Sequence, residues 1–302
     1  LEEQPDPEAY RTVFAQLYRG FLLPLAEELT VPVDVDTVLD FYDHGFGAAQ
    51  MLEAGLRVAD ALDTLDPAPL AGLEGVALNV VTPLGRVVVA DAGAQVHDPS
   101  REAYRGPLAL LVDLGGDDTY LVDAGANAGP AQAVSVCLDL GGRDRYGYAP
   151  RPDPEDEGLL PSDGGGRLPP GLPGSPWGAA SLSDRGRQGA GWLGVGFLVD
   201  LGSEPDEYRS LRNSQGAAAA GVGVLLDAGG DDLYEAEAAG KGAASFGFGL
   251  LLDLGGADRY RAWTQAQGFG GPRGAGALWD GGGDDEYLAE PGVAEGPLPY
   301  PS

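Results

Sequence analysis

One eight-residue pattern, D-x-G-G-x-D-x-Y, constrains this chain more than any other feature. Asp113-Leu-Gly-Gly-Asp-Asp-Thr-Tyr120 returns as Asp139-Leu-Gly-Gly-Arg-Asp-Arg-Tyr146 and as Asp227-Ala-Gly-Gly-Asp-Asp-Leu-Tyr234. It returns again as Asp253-Leu-Gly-Gly-Ala-Asp-Arg-Tyr260 and Asp280-Gly-Gly-Gly-Asp-Asp-Glu-Tyr287. A further copy, Asp200-Leu-Gly-Ser-Glu-Pro-Asp-Glu-Tyr208, carries one extra residue. The lead aspartates lie 26, 61, 27, 26 and 27 residues apart, the longest step being one period plus an insertion. Upstream, Gly194/Gly196, Gly221/Gly223, Gly247/Gly249 and Gly274/Gly276 keep one offset from the aspartate, and Gln188, Gln215, Lys241 and Gln267, each followed by glycine, stand 12 or 13 residues before it. A whole unit is therefore repeated, and each copy must bury its apolar face against its neighbours.

Glycine is too dense in the unit for helix. Short β-compatible runs, such as Val195–Val199 and Tyr260–Thr264, are followed by Gly-rich turns. A propeller blade needs about 40 residues and four strands, more than this period supplies. The fold expected is mainly β: a β-solenoid, or β-superhelix, of about six ~26-residue coils stacked about 4.8 Å apart. A helical cap, residues 1–75, is expected before the solenoid at 76–290, with a Pro-rich tail at 291–302. In the cap, Asp6-Pro7-Glu8 opens one helical pattern through Phe21, and a second runs from about Thr37, capped by Asp36, to Leu65. Residues 76–81 and 86–90 around Thr82-Pro-Leu-Gly85 read as a hairpin, and Asp91-Ala-Gly93 as a degenerate zeroth repeat. Residues 149–186, rich in Pro, Gly and Asp, are expected to leave the array as a disordered or loop insertion.

Composition narrows the function. The formal charge is −29, which opposes binding to nucleic acid except through a metal, and suits cations. Cys137 is the single cysteine, so an internal disulfide is impossible, and its apolar surroundings read as core. The two histidines, His44 and His97, cannot make a histidine-rich metal site. His44 reads as structural and His97 as an exposed residue ending the hairpin. No apolar run approaches a membrane span, so membrane insertion is not expected.

The carboxylates carry the chemistry. Both aspartates of the pattern recur in every copy: Asp113 and Asp118, Asp139 and Asp144, Asp200 and Asp206, Asp227 and Asp232, Asp253 and Asp258, Asp280 and Asp285. Stacked coils would place equal charges about 4.8 Å apart, a repulsion of about 0.9 kcal/mol in water and about 3.5 kcal/mol at an effective dielectric of 20. Backbone N–H bonds from the turn, protonation or bound cations would each relieve it. All twelve aspartates are candidate metal ligands. Calcium suits them best, because it accepts six to eight oxygens in flexible geometry; magnesium is more exacting. The alternative without metal has the first aspartate capping each turn and the second making an Asx-type bond within it.

Gly116-Asp-Asp118-Thr-Tyr120, Gly230-Asp-Asp232-Leu-Tyr234 and Gly256-Ala-Asp258-Arg-Tyr260 resemble the second half of the calcium-binding nonapeptide of RTX β-rolls. That resemblance implies calcium on the aspartate and turn carbonyls, and an inward-pointing hydrophobic residue. The middle Gly-x of that motif is missing, the period is not nine, and an aspartate precedes the glycines. The whole array, over about residues 76–290, looks more like bacterial Asp/Gly-rich repeat proteins, largely uncharacterised. This likeness implies an exported protein of periplasm, cell surface or medium, with envelope polysaccharide or protein as a partner. The chain opens on Leu1, so a signal peptide is not visible in it. The expected function is a calcium-binding exported β-repeat protein with a structural or binding role at the cell envelope. The alternative is a metal-dependent hydrolase, a nuclease or polysaccharide-cleaving enzyme built on the solenoid. The tyrosine column is expected to stack in the core, with a glycan-binding face as the other reading, and the glutamines to form an amide ladder in which Lys241 neutralises a carboxylate.

Overall fold

The computed structural model describes residues 47–66, 68–70, 78–151, 160–167 and 181–289. The helix expected at Asp6–Phe21 and the Asp36 cap lie outside these. The described part of the second helical pattern is α1, Ala48–Asp63. Its apolar face, with Met51, Ala54, Val58, Ala59 and Leu62 at helical spacing, packs on Val195, Phe197 and Val222 of the solenoid.

The hairpin forms as expected from β1 (Leu78–Thr82) and β2 (Gly85–Val89), paired antiparallel. From β2 onward the chain winds as a parallel β-solenoid. One sheet continues through β4 (Leu108–Asp113), β6 (Val134–Asp139), β9 (Val195–Asp200), β12 (Val222–Asp227), β15 (Phe248–Asp253) and β17 (Ala275–Asp280). The second holds β3 (Val96–His97), β5 (Thr119–Tyr120), β7 (Arg145–Tyr146), β10 (Glu207–Ser214), β13 (Leu233–Gly240), β16 (Arg259–Thr264) and β18 (Glu286–Ala289). A third, short sheet joins β8 (Gly191–Trp192), β11 (Ala218–Ala219) and β14 (Ala244–Ser245). The second sheet has one strand per coil, so there are seven coils where the sequence pattern announces six. The additional coil is the degenerate repeat at Asp91: His97 pairs in register with Tyr120.

Register is what turns a repeated sequence into columns. Lead aspartates pair Asp113–Asp139–Asp200–Asp227–Asp253–Asp280 across the first sheet. Two residues before them, Leu111, Cys137, Leu198, Leu225 and Leu251 form the buried inner column, so Cys137 is core as expected. Facing them, Tyr120, Tyr146, Tyr208, Tyr234 and Tyr260 are fully buried. Their rings stack with centroids 4.5 to 4.9 Å apart and Tyr287 continues the column. Each such pair adds about 0.5–1.5 kcal/mol beyond its burial. Burial removes the first five rings from any glycan-binding face, and Tyr287 alone of the six is exposed.

The second glycine of each G-G has no alternative. Gly142, Gly256 and Gly283 have φ of 136°, 159° and 159°, and a Cβ there would overlap the carbonyl oxygen of the preceding coil's glycine. The Q-G pairs are left-handed at both residues: φ is 55° at Gln215 and 74° at Gly216. This turn aims the side-chain amide at the backbone, so the expected amide ladder does not form. Gln188 Nε2 donates to the Tyr146 and Arg209 carbonyls at 2.9 Å, and Gln215 Nε2 to those of Tyr208 at 2.9 Å and Glu235 at 3.2 Å. Lys241 follows the same rule, donating to the Arg261 carbonyl at 2.7 Å.

The described parts of the 149–186 insertion are anchored on the second sheet. Arg167 and Ser181 pair as an antiparallel bridge. Glu237 of β13, buried, takes the Arg167 guanidinium at 2.6 Å and the Ser181 N–H at 3.0 Å. Arg187 is buried against Asp163 at 2.5 Å. The burial of both faces of β10 and β13 follows from this cover.

Candidate metal centre

The two aspartates of each coil do different work. The first sits at the end of its strand in the first sheet, and its Oδ1 accepts the N–H of the glycine two residues on, at 2.8 to 3.0 Å in every copy. This is the expected turn cap. Its Oδ2 faces the tyrosine column. Tyr146 donates to Asp200 at 2.7 Å, Tyr208 to Asp227 at 2.5 Å and Tyr234 to Asp253 at 2.8 Å, and Tyr120 donates to Asp139. Each hydroxyl thus serves the carboxylate of the following coil. Tyr260 lies between Asp253 and Asp280, at 3.0 and 3.1 Å, and Tyr287 donates to Asp280 at 2.6 Å.

The second aspartate does not make the Asx-type bond expected within its own turn. Its Oδ1 reaches the preceding coil and accepts the N–H of the equivalent aspartate. Asp144 accepts from Asp118 at 2.7 Å, Asp206 from Asp144 at 2.6 Å, Asp232 from Asp206 at 2.6 Å, Asp258 from Asp232 at 2.8 Å and Asp285 from Asp258 at 3.1 Å. That N–H points along the stacking axis, where the next coil meets it.

The remaining oxygen is the feature that matters chemically. Oδ2 of Asp118, Asp144, Asp206, Asp232 and Asp258 is buried and has no hydrogen-bond partner. These oxygens converge in triads of the second aspartate of one coil and both aspartates of the next: Asp118/Asp139/Asp144, Asp144/Asp200/Asp206, Asp206/Asp227/Asp232 and Asp232/Asp253/Asp258. Within each, one oxygen per residue lies within 4.8 Å of the others. Burial, reinforced by like charges, favours the neutral acid at eight of these aspartates. Asp118 is pushed up to about 8 by burial and Asp113, Asp139 to about 9 by burial and Asp200, and Asp206 to about 10 by burial and Asp200. Burial likewise raises Asp232 to about 8 and Asp144 and Asp258 to about 7, and moves Asp200 and Asp227 upward. Asp280, on the exposed last coil, goes the other way. Its burial is slight and raises it, but the Tyr287 hydroxyl and the Gly282 N–H hold it below its ordinary value. So ten of the twelve expected ligands are buried inside the stack, and Asp280 and Asp285 are half-buried on the last described coil.

His97 is the residue that reading the sequence misses. It is not exposed but fully buried, stacked on Tyr120 at 4.3 Å in the tyrosine column. Its Nε2 lies 2.8 Å from Asp113 Oδ2. The spacing from Asp91 to His97 is six residues where Asp113 to Tyr120 is seven, and that one-residue deletion hides the correspondence. Fold and columns together define a class, a parallel β-solenoid with an internal acidic seam. No known protein family, curated protein or solved structure matches the chain.

Proposed function

We propose that this protein is an exported β-solenoid whose coils are bridged by calcium, with a structural or binding role at the cell envelope. The observation that carries the reading is the row of buried, unpartnered Oδ2 atoms in the aspartate triads. A buried carboxylate oxygen without a donor is costly, and several in one column compound the cost. A hard divalent ion in each triad would supply the missing counter-charge. Calcium tolerates the flexible, all-oxygen surroundings, and weak calcium modules of about 10⁻⁴–10⁻³ M affinity belong outside cells. The triad oxygens are enclosed between coils, which favours a structural ion over the open coordination position a hydrolase requires.

The test is thermal unfolding after exhaustive EDTA treatment, with calcium or magnesium titrated back and calorimetry on the same samples. At ten times its dissociation constant each ion adds about 1.4 kcal/mol. A saturable, calcium-selective rise in Tm is expected. No shift with either ion would leave the aspartates as turn caps and coil linkers alone, and would end the proposal.

A further inference from the structure

The seam does not end as it runs. In coil one the position of the second aspartate is held by Gln95, whose N–H is accepted by Asp118 Oδ1 and whose side chain turns back to Asp91 at 3.0 Å. The triad that should begin the column therefore lacks a carboxylate. The residue in its place comes from the tyrosine column: His97, Asp113 and Asp118 bring one ligand atom each within 4.8 Å of the others.

Three observations distinguish this group from a buried acidic cluster. The His97 ring is fully buried, and neither ring nitrogen has a hydrogen-bond partner. Nε2 approaches Asp113 Oδ2 to 2.8 Å without forming a hydrogen bond. Two ligands held about 2.0–2.2 Å from one tetrahedral ion lie about 3.3–3.6 Å apart, so this ion pair opens only slightly to admit a shared cation. Asp118 Oδ2 is likewise buried and unpartnered. Stacking on Tyr120 and the edge contact to Tyr104, with ring centroids 5.0 Å apart, fix the plane of the imidazole.

We propose that His97, Asp113 and Asp118 form a nitrogen-containing divalent metal site at the N-terminal end of the seam, selective for zinc-class ions over calcium. Two carboxylates neutralise a divalent ion, where an internal triad carries a third negative charge. Imidazole suits zinc, and calcium takes oxygen ligands. The seam thus has one end site of different specificity from its interior. The inference goes beyond the calcium reading and rests on His97, not on the interior triads.

The chain has only two histidines, which makes a direct test simple. EDTA-treated protein labelled with ¹⁵N-histidine is titrated with ZnCl₂, with His44→Gln supplying the assignment. One His97 ring nitrogen should move to a metal-bound shift, saturating at one equivalent, and millimolar calcium should not move it. His97→Phe, which keeps a stacking ring, should weaken zinc binding at this site at least tenfold and keep any calcium-dependent rise in Tm. His97 resonances unmoved by zinc would overturn the proposal, as would zinc binding unchanged in His97→Phe. If zinc fails while calcium still raises Tm, this inference falls alone. If the zinc shift appears without any calcium response, it stands and the calcium reading falls.

Discussion

Asp232→Asn separates the roles of a seam aspartate by sign. Asp232 Oδ1 accepts the Asp206 N–H at 2.6 Å, and its own N–H goes to Asp258 Oδ1 at 2.8 Å. Its Oδ2 is unpartnered and belongs to the triads on either side. Asparagine has the same shape, keeps the accepting oxygen, and puts an NH₂ donor among carboxylates. Without cations at pH 7, Asp232 is held mostly as the acid, because burial raises it to about 8. Keeping such a group protonated against an unfolded value near 3.8 costs about 4 kcal/mol by linkage. Asparagine escapes that cost and relieves its neighbours. Coupling along the column reduces the gain to about 2–4 kcal/mol, or roughly 5–10 °C in Tm for a domain of this size.

With calcium bound that gain is offset. The substitution removes a charged ligand from two triads. At ten times the dissociation constant, losing both ions forfeits about 3 kcal/mol. Differential scanning calorimetry of wild type and variant, each in EDTA and in millimolar calcium, gives the four values required. The variant should be the more stable protein in EDTA and show the smaller calcium response. A variant destabilised equally in both conditions would refute the reasoning, because Asp232 would then act only through the backbone bond that asparagine should preserve.

Two further outcomes follow from the same geometry. In EDTA, Asp118, Asp139, Asp144, Asp206, Asp232 and Asp258 titrate at about 8, 9, 7, 10, 8 and 7 when folded, above their unfolded value of 3.8. The folded state then binds more protons, so their contribution is fully present below about pH 4 and is lost as pH rises through about 7–10. Tm of the metal-free protein should therefore rise on going from pH 8 to pH 5, with saturating calcium flattening the slope; a metal-free Tm that falls over that interval contradicts the buried-acid seam. Gly256→Ala should cost more than about 4 kcal/mol, the exceptional range for a point substitution, because its Cβ would meet the Gly230 carbonyl at a φ of 159°. The check is urea unfolding beside Ala257→Gly, an exposed neighbour expected to change little.

Much of this architecture is legible in the sequence because a solenoid converts period into position. The recurring aspartates and tyrosines, and the glycine pair of five copies, say that each occupies one column, and the columns are there. What a period cannot say is which atom reaches which coil. The bond from Asp232 N–H to Asp258 Oδ1 and an Asx bond inside one turn demand the same residue at the same place. Only the direction of the backbone N–H, set by the positive-φ glycines, separates them. The glutamines mislead for a similar reason. A repeated Gln suggests side chain meeting side chain, until the left-handed φ of 55° at Gln215 sends its amide to the Tyr208 carbonyl. At the insertion the sequence does not announce the tether found among the described residues, where Arg167 and Ser181 converge on Glu237.

The departures from the repeat are the most informative residues, and they concentrate at the ends. Inside the stack, each tyrosine hydroxyl has the next coil's aspartate to bond, and each second aspartate has a preceding N–H to accept. Such a rule has no natural first member. Coil one must accept the stack without extending it, and it does so by changing both columns at once, Gln95 for the aspartate and His97 for the tyrosine. The glutamine keeps the backbone N–H that Asp118 needs and sheds a charge. The histidine keeps the ring that Tyr120 stacks on and replaces a hydroxyl with nitrogen. At the other end Asp280 and Asp285 are only half-buried, so repulsion between them is better screened than inside the stack. The two ends of the seam therefore meet the same electrostatic problem by different means: one by partial burial, the other by buried residues chosen against the repeat. That choice is why the N-terminal end, rather than the regular interior, is where this chain carries chemistry of a second kind.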